Sequence, residues 1–260
     1  MTQRGDLLLR IYLVALFLFV FAPILTSMVF SFNSDRFPTF PLGSFTLDWY
    51  RTAFAREEVW EAFQNSVIVA LCAASLSTAL GFATAYTDFR YGFRFKPAYL
   101  ALALLPPTIP LVIMGLAMLA WLARLGISGT IGGIVIAHTV MGAPFAMAII
   151  RLRLSQMDEA LEAAAWNLGA SPWRAMRAVV LPFCTPALIS AFCLTAAVSF
   201  DEFLVAWFVS GLNKTVPVMI LEILQGNVDP QINAIGTVVF VTSITLVIVA
   251  QLLILRRTGK

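Results

Sequence analysis

Charge is what this sequence has least of. Asp, Glu, Lys and Arg together make up 12% of the 260 residues, against 60% hydrophobic ones, and the mean hydropathy is +0.88. So few charges cannot cover a water-facing globular surface, which excludes a soluble domain and leaves an integral membrane protein. Histidine is confined to His138, and no grouping of Ser, His and Asp, or of His and Glu at metal spacing, supports an intramembrane enzyme. Cysteine is almost as scarce. Cys72, Cys184 and Cys193 lie in apolar runs without ligand spacing and read as core or lipid-facing residues, so no metal is expected. The net charge of +3 is too small to imply nucleic acid as a partner. No Gly-x-x-x-x-Gly-Lys-[Ser/Thr] phosphate loop is present, and Gly259-Lys260 has nothing after it. No cofactor is therefore expected on this chain.

What is abundant is apolar sequence in long runs. Spans of about 20 residues each leave room for roughly six helices and no large extra-membrane domain. Hydropathy predicts an all-α, six-span membrane domain over 1–260, with spans near 11–32, 65–87, 98–122, 131–150, 183–211 and 234–255. With a cytoplasmic N-terminus, Arg36, Arg51, Arg56, Arg124 and Lys214 fall outside and the other twelve of the 17 Lys and Arg fall inside. That asymmetry puts both termini and the 151–182 loop in the cytoplasm. Between spans one and two, Phe45, Leu47, Trp49, Tyr50 and Phe54 among charges suit an interfacial helix or an aromatic anchor against lipid. Helix breakers recur: Pro23, the run Leu104–Gly115 with Pro106, Pro107 and Pro110, Gly132, Gly133, Gly142 and Pro144, and Pro186. Broken backbone at membrane depth is tolerated only against protein or a watery cavity, as in a pathway that moves.

The polar interlude Asp158–Pro182 predicts two short helices joined by an abrupt turn. Ser155 or Asp158 can cap the first, whose opening turn carries Asp158, Glu159 and Glu162 where the macrodipole favours acids. Met157, Leu161, Ala164 and Leu168 then form an apolar stripe. Gly169 suits a C′ position, and Ser171-Pro172 suits an N-cap followed by proline in the first turn. Trp173, Met176 and Val180 continue an apolar face while Arg174 and Arg177 stay wet. Such a knob suits docking, and a loop tucked against the bilayer is the competing reading.

These residues resemble the EAA loop of ABC importer permeases, whose pattern is Glu-Ala-Ala, three residues, Gly, nine residues, Ile-x-Leu-Pro. Counting from Gly169 brings Val179 to the Ile position and Leu181-Pro182 to the end. Counting back brings Ala163 to the glutamate position, with Ala164 and Ala165 as the two alanines and Glu162 one residue early. The resemblance implies the importer-permease fold and an ATPase-coupling loop at 155–182 that includes Glu162, Ala163, Ala164, Ala165, Gly169, Ala170, Leu181 and Pro182. It also implies a second permease chain and a pair of separate ATP-binding subunits that carry ATP and Mg.

Asp201-Glu202 in the fifth span sits where a charge costs about 2.5–3.5 kcal/mol on insertion scales, so a cavity or a partner is expected to face it. Glu202 shares a helical face with Thr195 and Ser199, and Asp201 with Leu194, Val198 and Val205. Glu202 is the expected lining acid and Asp201 the acid at the rim or against a partner helix, with a structural ion pair as the alternative. Two acids without a nearby Lys or Arg favour a cationic solute. His138 is open to a proton-relay or a packed, hydrogen-bonded reading.

The run SFDEFLVAWFVSG, followed by VPVMILEILQGNVDPQINAIGTVVF, is similar to permeases of the spermidine/putrescine type, the PotC subfamily, over most of the chain from about residue 60. That resemblance implies a polyamine solute, a PotB-like second permease, and a periplasmic binding protein delivering to outer loops that hold Glu222 and Asp229. It implies a bacterial inner membrane. Permeases for iron, thiamine and other solutes share the layout, and an ion-coupled secondary transporter, a channel or a membrane scaffold remain as alternatives.

Overall fold

The computed structural model describes residues 3–37, 39–226 and 230–258, and its regular structure among them is helical apart from one isolated bridge between Asn33 and Phe45. A helix pairs each backbone N–H and C=O within itself, which is what a chain this poor in polar side chains needs in lipid.

Helix α1 runs over Gln3–Phe30, α2 over Asp48–Phe54, α3 over Glu57–Arg90, α4 over Lys96–Leu104, α5 over Leu111–Arg124 and α6 over Ile131–Leu154. They are followed by α7 over Glu159–Asn167, α8 over Pro172–Ala175, α9 over Leu181–Asp201, α10 over Leu204–Val209, α11 over Val216–Gly226 and α12 over Gln231–Thr258. Among the described residues, Leu7–Phe30, Glu57–Arg90, Ile131–Leu154 and Pro172–Asp201 are long and apolar enough to cross a membrane, and Leu111–Arg124, Val216–Gln225 and Gln231–Thr245 are shorter apolar stretches.

Two expected spans are interrupted. In 98–122 the helix stops at Leu104, Pro106–Thr108 forms a 3-10 turn, and Pro110 precedes α5. A proline lacks the N–H that the preceding turn needs, and three in five residues end the helix. In 183–211 the break falls at Glu202-Phe203 and not at a proline: Pro186 lies inside α9, as Pro23 and Pro144 lie inside α1 and α6.

The chain divides into two compact units. The first comprises Met1–Trp60 and Ile220–Thr242. Within it Phe32 stacks on Phe45 with ring centres 5.2 Å apart, Trp49 Nε1 donates to the Asn33 carbonyl at 2.7 Å, and the Ser31 and Tyr50 hydroxyls meet at 2.7 Å. These contacts fasten α2 to the segment after α1.

The second unit comprises Glu61–Met219 and Ser243–Lys260, and its core lies along α6. The N-terminal half of α6 gives Ile134, Ala137 and Met141 to a cluster with Val69, Met114, Leu122, Val205 and Val209. Its C-terminal half gives Met147, Ile150 and Leu154 to a cluster with Ala85, Val180, Cys184 and Ala191. Gly81 lets α3 approach α6 so closely that an added Cβ would stand 2.6 Å from the Met147 backbone nitrogen.

Candidate functional site

The knob at 155–182 is built by its caps. Asp158 accepts from the Ala160 N–H at 2.9 Å and so starts α7, while Ser155 donates to the Leu152 carbonyl at 2.9 Å and closes α6. Gly169 stands at φ +82°, where a Cβ would be strained. Its N–H donates to Trp166 O at 2.8 Å, and the next N–H, from Ala170, donates to Ala165 O at 3.0 Å. This is the Schellman closure that a C′ glycine permits. Ser171 accepts from the Arg174 N–H at 3.3 Å and opens α8. From there the backbone passes through a π-helical turn, Met176–Val180, directly into α9. The second half of the knob is thus continuous with the fifth span, whose start was expected at 183.

The knob's orientation corrects the expected apolar stripe. Met157 is buried, but Leu161 and Ala164 are exposed and Leu168 is 89% exposed. The inward residue is Glu162, only 3% exposed. Its Oε1 accepts from the Tyr86 hydroxyl at 2.9 Å, and its Oε2 lies 3.5 Å from Arg90 Nε. The Arg90 guanidinium also lies over the Trp166 ring, 4.3 Å from its centre. A cleft of about 270 Å³ is lined by Phe89, Arg90, Ala160, Glu162, Ala163 and Trp166. Ala163, Ala164 and Pro182 are exposed, and Ala165, Ala170 and Leu181 are half-buried. Beside the knob, Asp88 receives Arg151 Nε at 2.5 Å and Lys96 Nζ at 3.2 Å, and Lys96 also donates to the Asp88 carbonyl.

The acid pair of the fifth span is split by the break. Helix α9 ends at Asp201, which is exposed on this chain. Glu202 is extended, at φ −72° and ψ 124°, and 7% exposed. Its two oxygens accept from the Val205 and Ala206 N–H groups, each at 2.9 Å, so the side chain covers the first turn of α10. His138 Nε2 lies 3.4 Å from Glu202 Oε2, an electrostatic contact longer than a good hydrogen bond, while His138 Nδ1 meets the Ser199 hydroxyl at 2.7 Å. The polar face expected from Thr195, Ser199 and Glu202 thus forms, and it is buried inside the chain against α6. His138 is packed and hydrogen-bonded there. Glu222 is half-buried in α11, and Asp229 lies outside the described residues.

Residues 77–258 match the family of binding-protein-dependent transport system inner membrane components. The chain belongs to that family. It is 31% identical over 243 residues to the spermidine/putrescine transport system permease protein PotC of Haemophilus influenzae, covering 93% of this chain and 94% of that one. It is 30% identical over 250 residues to the PotC protein of Escherichia coli, covering 96% and 94%. The putrescine transport system permease protein PotI of Escherichia coli is 31% identical over 233 residues, covering 86% and 82%. A bacterial ABC transporter that imports the acidic polysaccharide alginate contains a chain of the same fold, with a TM-score of 0.78 at 17% identity over 99% of this chain and 98% of that one. The inward-facing MetNI methionine ABC transporter gives 0.63 at 17% identity over 79% and 96%.

This inner membrane component is therefore an all-α, multi-pass permease subunit with the fold of ABC importer permeases, and not an enzyme. Among the described residues no group of three or more His, Cys, Asp or Glu is placed to hold a metal ion, and the three cysteines are free. Sequence reading missed the partners of its own candidates: Tyr86 and Arg90 for Glu162, and His138 with Ser199 for Glu202. The only local sign was the four-residue spacing of Tyr86 and Arg90 near the end of a span, which puts both on one helix face.

Proposed function

We propose that the chain forms half of the translocation pathway of an ATP-driven importer for a small cationic solute, a polyamine of the spermidine or putrescine kind. The observation that carries this reading is Asp201. It is an exposed acid at the end of α9, where the fifth span breaks, and no Lys or Arg stands near it in sequence. A carboxylate beside low-dielectric walls raises the local concentration of cations. Glu202, whose oxygens are taken by two backbone N–H groups beside His138, holds the break in shape. The PotC and PotI relatives, named for spermidine and putrescine transport, support the same solute class.

The chain works as a single permease domain beside a second permease subunit of PotB type, with two ATP-binding subunits carrying ATP and Mg on the cytoplasmic side of a bacterial inner membrane. Both termini and the 155–182 knob face the cytoplasm, as the distribution of Lys and Arg supports. A periplasmic binding protein delivers the solute to the outer face, near Glu222 and Asp229. Closure of the ATP-binding subunits moves the knob, and the knob moves α9 through the continuous backbone of α8.

Uptake of labelled spermidine and putrescine into vesicles holding the assembled importer, with and without its ATPase subunit, tests this. ATP-dependent uptake that stops when the ATPase is omitted is expected. Uptake that persists without the ATPase on an ion gradient, or that polyamines do not saturate, overturns the reading.

A further inference from the structure

We propose that Glu162 is not a contact to the ATPase but the inner half of a clamp that ties the knob to α3, so that knob movement reaches two spans together. The inference rests on the coupling reading above and extends it. At the position where the EAA pattern carries its glutamate, this chain has Ala163, which is exposed and offers an ATPase no charge. One residue earlier the side chain points about 100° away around the helix. Glu162 is accordingly buried, with one oxygen held by Tyr86 and the other beside Arg90.

Tyr86 and Arg90 are four residues apart on α3, and Glu162 and Trp166 are four residues apart on α7. Each pair therefore spans one turn of its helix. Arg90 touches both members of the opposite pair, the carboxylate through Nε and the indole through its guanidinium face. Two helices joined at two successive turns cannot slide or rotate past each other without losing a charge-assisted hydrogen bond to a buried carboxylate. The backbone runs unbroken from α8 into α9, so the knob already has a covalent output to the fifth span. The clamp supplies a second, non-covalent output to α3. With it cut, ATPase closure still moves the knob and α9, and α3 stays behind.

The test uses the full importer and reads three quantities: the ATPase subunit retained on purification, ATP hydrolysis, and solute taken up per ATP. Tyr86→Phe keeps the ring, stacked on Phe82 with centres 5.9 Å apart, and removes only the hydroxyl, so it guards against a folding failure in Glu162→Gln. Each variant is expected to retain the ATPase and to carry about tenfold less solute per ATP, the factor that a hydrogen bond to a charged group represents. The double variant should be no worse than Glu162→Gln alone, which already removes the carboxylate that Tyr86 and Arg90 share. Leu168→Asp, on the exposed face, should instead lower ATPase retention. Loss of the ATPase from Glu162→Gln with Tyr86→Phe unaffected overturns the clamp and makes Glu162 a docking residue, and additive losses in the double variant also overturn it. Uptake by the unaltered importer without its ATPase overturns the coupling reading itself, an outcome separate from either.

Discussion

Adjacent carboxylates have opposite fates in this chain, because the helix ends between them. Asp201 closes α9 and faces outward, whereas Glu202 turns into an extended residue whose carboxylate covers the first turn of α10. Conservative amide variants should separate the two. Asp201→Asn is expected to lower polyamine uptake by about tenfold while leaving the amount of assembled complex unchanged, since it removes a charge from the proposed pathway and no hydrogen bond to a side chain or backbone group among the described residues. Glu202→Gln is expected to lower the melting temperature of the purified protein, because the amide keeps one neutral oxygen to accept with and its NH2 group faces the other backbone N–H as a second donor; a cost of about 2 kcal/mol is in scale. Uptake and melting temperature measured on both variants check this, and equal effects on both readouts would overturn the division of roles. Sequence reading found both acids from the rarity of charge in a span but favoured Glu202 for the pathway. The polar face that pointed to Glu202 does form, but it packs inside the chain against His138 of α6.

At the scale of elements, the knob and the interruptions obey local chemistry to different degrees. The first knob helix begins and ends, and the second begins, where the cap residues place them, because Asp158, Gly169 and Ser171 act on backbone groups close to them in sequence. The face that the knob buries was misread, because Leu161 and Leu168 look like core residues while Glu162 has partners 76 and 72 positions away in the chain. Helix pairing depends on small residues in the same non-local way. Gly81 lets α3 lie against the α6 backbone, and a larger side chain there must push the two helices apart. Gly81→Leu is expected to destabilise the protein by about 1–3 kcal/mol, the scale of overpacking. A thermal melt in detergent checks it, and an unchanged melting temperature would mean that α3 and α6 can separate without loss.

At the scale of the whole molecule, topology follows from where Lys and Arg are placed. In the orientation proposed above, the uneven distribution of Lys and Arg makes the 155–182 knob cytoplasmic and leaves Arg56 on the outer side. In a variant lacking Cys72, Cys184 and Cys193, a cysteine at Leu168 should react with a membrane-impermeant thiol reagent only when the cytoplasmic face is open to it. A cysteine at Arg56 should react only from the outer face. Labelling of both from one side would refute the orientation. Residue 168 suits the assay because its side chain is almost fully exposed, and the side chain of Arg56 is 44% exposed.

The sequence alone determined the membrane class, the helical fold, the caps of the knob and the family resemblance. Each of these depends on composition, on hydropathy over about 20 residues, or on contacts within one helical turn. The tertiary structure alone decided which acid is internal, where the fifth span breaks, and what Glu162 holds. His138 and Glu202 are 64 positions apart, and Tyr86 and Glu162 are 76 apart; packing brings each pair together across helices, and no local pattern encodes such a meeting.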